Sequence, residues 1–195
     1  MEDNKREVRS TSYQVVSDEE KRTVEGYALL FDTPSTGLGF VEVIERGALD
    51  GVIEKSDVIA YLNHYENRGI LARCKQGKGS MDLSVDEIGL KYRFEAPKTA
   101  LGDELLENLR RGEIDTSSFA FTAAKDRWEK LSDGTWKRSI SKIEKIYDVS
   151  PVYNAAYSAT SVYLRGKDQA EEELRHQQEQ AMKEYWQNLE NQLNI

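Results

Sequence analysis

The run TALGDELLENLRRGEIDTSSFAF, residues 99–121, changes its hydrophobic period midway, and that change decides the fold. From Thr99 to Arg111 the apolar residues Leu101, Leu105, Leu106 and Leu109 recur at three- and four-residue spacing, so they line the inner side of a helix. Thr99 is a capping residue, Asp103 and Glu104 sit near the positive start of the helix dipole, and Arg110 and Arg111 lie in its last turn. Gly112 supplies the stop. From Ser117 onward the period is two: Ser117, Phe119 and Phe121 share one face of a strand, while Ser118 and Ala120 share the other. The two phenylalanines can anchor a core. Ser118 then faces away beside a small neighbour, with room for a substrate carbonyl.

Outward from this run, residues 10–165 read as short β-rich segments with few helices. β-branched or aromatic residues alternate between turn signals around Thr11–Val16, Val24–Phe31, Phe40–Ile44, Val58–Asn63, Gly69–Cys74, Met81–Val85 and Leu90–Glu95, which predicts strands. Turns are marked at Thr33-Pro34, at Gln76-Gly77-Lys78-Gly79 and at Asp133-Gly134, the last between Trp128 and Trp136 as a hairpin requires. A second, shorter helix is expected around Gly47–Glu54. A closed sheet of all-β or α+β type follows.

The last thirty residues are different. Within 166–195, Lys167, Arg175 and Lys183 stand against Asp168, Glu171, Glu172, Glu173, Glu179, Glu184 and Glu190, so this stretch carries −4 of the chain's net −8. It is rich in Gln and lacks Pro, and Leu174, Met182, Tyr185, Trp186, Leu189 and Leu193 form one apolar stripe at helical spacing. The expected organisation is therefore a domain over 1–165 and a helical tail over 166–195. The tail either packs on its own domain or protrudes as an arm that binds another chain.

Composition narrows the function. At 195 residues the chain suffices for one domain plus an arm, and its net charge of −8 disfavours a phosphate backbone as partner, so no nucleic acid is expected. The charged start MEDNKREVRSTSY is not a secretory signal, and 18 consecutive apolar residues occur nowhere. A soluble, intracellular protein without a membrane role is expected. The single cysteine excludes an internal disulfide and a multi-thiolate metal site. HExxH, CxxC, GxxxxGK[ST] and a helix-opening GxGxxG are all absent, so neither a metal nor a nucleotide cofactor is expected. Nothing in the spacing of the 35 acidic residues singles out a catalytic pair.

Imidazole chemistry has two candidates. His176 lies in the polar run Arg175-His176-Gln177-Gln178 and reads as solvated helix surface. His64 ends the apolar segment Asp57–Asn63, where a strand end holds a side chain rigidly while letting it face a cleft; taken alone it reads first as a structural or surface histidine. Ser118 needs a base, and His64 is the one credible imidazole. Asp148, in Ile146-Tyr147-Asp148-Val149-Ser150-Pro151, could orient that imidazole or sit at a strand edge, since an acid among apolar neighbours must be hydrogen-bonded. Cys74, between Arg73 and Lys75, is the rival nucleophile.

The ordered pieces Val24–Phe31, Glu42–Leu49, Leu62-Asn63-His64, Gly89-Leu90, Leu109–Gly112, Ser118–Phe121 and Asp148–Val152 resemble the signature of the tailed-phage prohead serine proteases over roughly residues 10–165. Each piece is weak alone; their order and spacing are specific. The resemblance implies an α+β fold similar to the herpesvirus assemblin protease, with a β-barrel core flanked by helices, followed here by the C-terminal amphipathic helix. It implies a serine endopeptidase in which Ser118 attacks, His64 transfers the proton and Asp148 fixes the imidazole. Where the family has Gly and Glu this sequence has Ala120 and Asp148, and where Pro is common it has Ala155. The implied substrates are a scaffold or the scaffolding segment of the major capsid protein, and the protease itself. The implied location is the procapsid interior in the host bacterial cytoplasm, with self-association into a homo-oligomer. The alternative is a catalytically idle assembly factor of the same fold.

Overall fold

The computed structural model describes residues 6–11, 15–18, 21–35, 38–153, 172–184 and 187. In chain order its elements are β1 (Glu7–Thr11), β2 (Val16–Asp18), β3 (Thr23–Leu30), β4 (Val41–Ile44), β5 (Asp57–Ala60), β6 (Ala72–Lys75), β7 (Lys78–Gly79), β8 (Met81–Val85), β9 (Gly89–Glu95), helix α1 (Ala100–Arg111), β10 (Thr116–Lys130) and β11 (Trp136–Val152). Short 3₁₀ turns occupy Ile53–Lys55 and Glu66–Arg68. The architecture is mixed α+β and mostly sheet.

The strands form two sheets. One runs β1-β10-β11-β5-β6-β7, with β4 also paired to β11; the other runs β2-β3-β9-β8. Their backbone from β10 and β11 is a long hairpin turned at Asp133-Gly134, with Lys130 opposite Trp136. The first half of β10 is buried on both faces and its outer half is largely exposed, while the facing part of β11 is buried against β4. On the inner face Phe119 and Phe121, with rings 5.0 Å apart, join Val24, Leu29 and Tyr92 of the second sheet in the main core cluster. Truncating a fully buried phenylalanine such as Phe121 costs about 3–5 kcal/mol. Ser117, on that same face, hydrogen-bonds the Tyr92 hydroxyl at 2.7 Å.

A closed barrel, expected from the resemblance, is not found among the described residues. The first sheet ends at β1 and β7 and the second at β2 and β8, so the sheets meet through side chains and not through a continuous ladder. The end strands that would have to join the sheets are short, three residues in β2 and two in β7, so they offer little ladder to bridge them.

Helix α1 follows the sequence rules. Thr99 Oγ1 accepts from Gly102 N at 3.3 Å, and Gly112 closes the helix in the left-handed region at φ 71°. Leu105 is buried, with Leu101, Leu106 and Leu109 packed against the same cluster. The second helix expected around Gly47–Glu54 is instead a series of tight turns ending in the 3₁₀ segment. Gly47 and Gly51 take φ of +83° and +68°, which breaks an α-helix every turn. Val52 N accordingly bonds Leu49 O, three residues back.

The strand expected over Thr11–Val16 is also displaced. Thr11 ends β1 and Val16 begins β2, while residues 12–14 lie outside the described set. β1 escapes a hydrophobicity reading because its buried face is ionic. Arg9 bonds Glu42 Oε1 at 2.5 Å and Glu7 Oε2 at 2.7 Å, and Arg138 of β11 bonds Glu7 Oε1 and Glu42 Oε2, each at 2.9 Å. Burial works against the charge of Arg138, yet these carboxylates hold its pKa above the usual value. Residues 172–184 are helical and exposed throughout. Of the tail stripe, Tyr185, Trp186, Leu189 and Leu193 lie outside the described residues, as does Ala155.

Candidate active site

Three neighbouring strands deliver the candidate residues. β11 carries Asp148 opposite Ala120 of β10 and beside Ile59 of β5. β10 carries Ser118 opposite Ser150. Residues directly opposite in a ladder point to one face, so Ser118, Ala120, Asp148 and Ser150 share the face turned away from the second sheet. β5 leads out of the sheet to His64 through a tight bend. Asn63 and His64 both adopt left-handed backbone, at φ +54° and +60°, a conformation that costs non-glycine residues of order 1 kcal/mol or more each. Asn63 N is tied to Pro151 O at 2.9 Å, which pins the bend to β11.

That bend sets the imidazole on Asp148. His64 Nδ1 lies 2.6 Å from Asp148 Oδ1, and the same oxygen accepts from Ser150 Oγ at 2.8 Å. The other oxygen, Oδ2, accepts from the Arg6 guanidinium. Asp148 is fully buried. An ionised carboxylate only accepts, so Nδ1 carries the proton of a neutral ring and Nε2 presents a lone pair. Nε2 is itself buried and has no hydrogen-bond partner among the described residues. Such a nitrogen can accept a hydrogen bond from a donor brought against it.

Ser118 is 1% exposed, and its hydroxyl donates to Arg9 O of β1 at 2.9 Å. It is not hydrogen-bonded to His64. On a shared face, a residue and its diagonal cross-strand neighbour have Cα atoms about 7–8 Å apart, which is the relation of Ser118 to Asp148. The structure thus joins two of the three predicted residues and keeps the third on the same face, two positions away along the ladder.

Two members of the constellation escaped the sequence reading. Ser150 was legible as the same-face neighbour of Asp148, two residues on. Arg6 was not, because nothing local to a charged N-terminal arginine marks a partner 142 residues away. Although partial burial works against its charge, Glu66 and Asp148 hold the Arg6 pKa above the usual value. Cys74 is buried on β6 and burial pushes its thiol pKa up, which disfavours a thiolate. His176 lies on the exposed 172–184 helix. Among the described residues no group of three or more His, Cys, Asp or Glu could hold a metal ion, and no helix is long and apolar enough to cross a membrane.

Comparison with known proteins sets a family and a solved structure beside this geometry. A sequence-family profile described as Caudovirus prohead serine protease matches residues 7–175. The chain is similar to a solved structure of the bacteriophage T4 capsid assembly protease, gp21, at 12% identity and a TM-score of 0.46, covering 77% of this chain and 100% of that one. A search of curated proteins found no match.

Proposed function

The chain belongs to the caudovirus prohead serine proteases, and from that premise we propose that Ser118, His64 and Asp148 are the nucleophile, the base and the orienting acid of a serine endopeptidase. The observation that carries this reading is His64 itself. One ring nitrogen is committed to a buried carboxylate and the other is buried and unpartnered. Asp148 would fix the tautomer and stabilise the imidazolium once it forms.

The reaction requires the Ser118 hydroxyl to leave the Arg9 carbonyl and donate to Nε2. Oγ attacks the scissile carbonyl carbon as its proton passes to Nε2. The C–N bond then breaks, and Nε2 returns the proton to the leaving amine, leaving an acyl-enzyme on Ser118. Water adds to the ester by the same route in reverse, giving its proton to Nε2 and freeing Ser118. Hydrogen bonds of this kind are often unmade before substrate binds, so the Ser118–Arg9 bond is compatible with this cycle.

The substrates are a scaffold protein or the scaffolding segment of the major capsid protein, and the chain itself. The work is done inside the procapsid, in the host cytoplasm. Residues 1–165 form the protease domain, and the acidic tail over 166–195 joins it to other copies or to the scaffold. The same Ser118–Arg9 bond is also what a catalytically idle assembly factor would keep, so the two readings need a chemical test. A fluorophosphonate phosphonylates an activated serine with loss of fluoride. Treated full-length protein, digested and mapped by mass spectrometry, should carry the adduct on Ser118 and lose it in His64→Ala. No adduct, or one on Ser117 or Cys74, would overturn the assignment.

A further inference from the structure

Asp148 is completely buried, and a neutral imidazole cannot balance its charge. The permanent cation on it is Arg6, from the segment that enters β1. We propose that Arg6 is a positioning residue of the site. Its guanidinium carries the countercharge of Asp148, so the carboxylate orients the Nδ1–H of His64 without drawing a second proton onto the ring. This rests on the proposed Ser118, His64 and Asp148 assignment and extends it to a fourth residue.

Arg6 is anchored on three sides. It bonds Asp148 Oδ2, reaches Glu66 Oε1 at 3.2 Å in the turn just after His64, and lies 5.3 Å from the centroid of the Tyr147 ring on β11. A freely solvated arginine paired to a surface acid does little. Here one end of the pair has no solvent at all, and the other is 40% exposed. The division of the carboxylate is also telling. Oδ1 serves His64 and Ser150, while Oδ2 is left to Arg6, so the guanidinium compensates charge without competing for the oxygen that holds the ring.

The other ionisable groups around the pair do not substitute for it. Glu66 is acidic, and Tyr61, whose burial raises its pKa, is a neutral phenol beside Asp148 and Glu66. Lys145 sits 4.7 Å from the Tyr147 centroid and bonds neither carboxylate. With Arg6 removed, the one group left among the described residues that bonds Asp148 and can become a cation is His64. The ring would then take up its second proton more readily and lose the lone pair the reaction needs. The sign follows: loss of Arg6 moves His64 protonation to higher pH.

The test is an NMR pH titration of the two histidine rings in the full chain carrying Ser118→Ala, which blocks cleavage during the measurement. His176, exposed on the 172–184 helix, is the internal reference. Arg6→Gln should raise the midpoint of His64 by about one pH unit or more, because losing a positive charge from the far side of the shared carboxylate favours the protonated ring. Arg6→Lys should leave it within a few tenths of a unit, and His176 should not move. An unchanged or lowered His64 midpoint in Arg6→Gln, or an equal rise in Arg6→Lys, overturns the proposal. The triad fails by a different observation, undiminished cleavage by Asp148→Asn with Ser118 intact, whatever the titration gives.

Discussion

Ser117 and Ser118 are adjacent, buried and chemically alike, and strand geometry gives them different work. Ser117 turns inward and bonds the Tyr92 hydroxyl; Ser118 turns to the opposite face, where Asp148 and Ser150 lie. Alternation at period two was enough to separate them in the sequence. Ser117→Ala should therefore cost about 1–3 kcal/mol of stability in a denaturant melt, because the Tyr92 hydroxyl is left buried without a partner, and should leave the Ser118 site able to react. A Ser117→Ala chain of wild-type stability and no activity would contradict this. Asp148→Asn favours the wrong imidazole tautomer and should slow cleavage roughly 10³-fold or more, whereas Asp148→Glu should retain activity. Wild-type rate in Asp148→Asn would reduce the site to Ser118 and His64. His64 and Asp148 could be read as candidates because each stands at the end of an apolar run. Arg6 and the carbonyl of Arg9 could not, since their roles exist only once β1 is laid against β10.

Elements were legible where local chemistry and core patterning agree, and illegible where they do not. α1 has its cap, its charges, its stripe and its stop in sequence order, and all are found in place. β1 has no apolar pattern because a buried cluster of Glu7, Arg9, Glu42 and Arg138 replaces the usual hydrophobic contacts. The segment after Gly47 has helical-looking composition, but two glycines with positive φ turn it too often. The barrel is not closed because the end strands that would join the two sheets, β2 and β7 among them, are only two or three residues long. Gly102 gives a case where element and environment oppose each other. Intrinsic propensity says Gly→Ala in a helix gains about 1 kcal/mol. A Cβ at Gly102, however, would stand 2.0 Å from Pro97 O, and a backbone atom cannot swing away. Gly102→Ala is therefore expected to lower the thermal midpoint; a raised midpoint would show that the Pro97 turn yields.

At the scale of the molecule, the sheets with α1 form the folded body, and the helix over residues 172–184 is exposed along its whole described length. Over residues 172–184 the helix spans roughly 20 Å. An exposed helix carrying Leu174 and Met182 at the surface suits a partner chain. Truncation after Arg165 should leave a folded domain with its site intact while weakening self-association in light scattering and incorporation with the capsid protein during co-assembly. Unchanged association and incorporation, or an insoluble fragment, would show that the tail belongs to the core. The claim on which everything else depends is that this chain cuts peptide bonds with Ser118. Purified full-length protein, incubated and followed by intact-mass spectrometry beside its Ser118→Ala variant, tests it most directly. The account predicts self-cleavage fragments that accumulate in the wild type and are absent in Ser118→Ala; the same fragments at the same rate in both would contradict it.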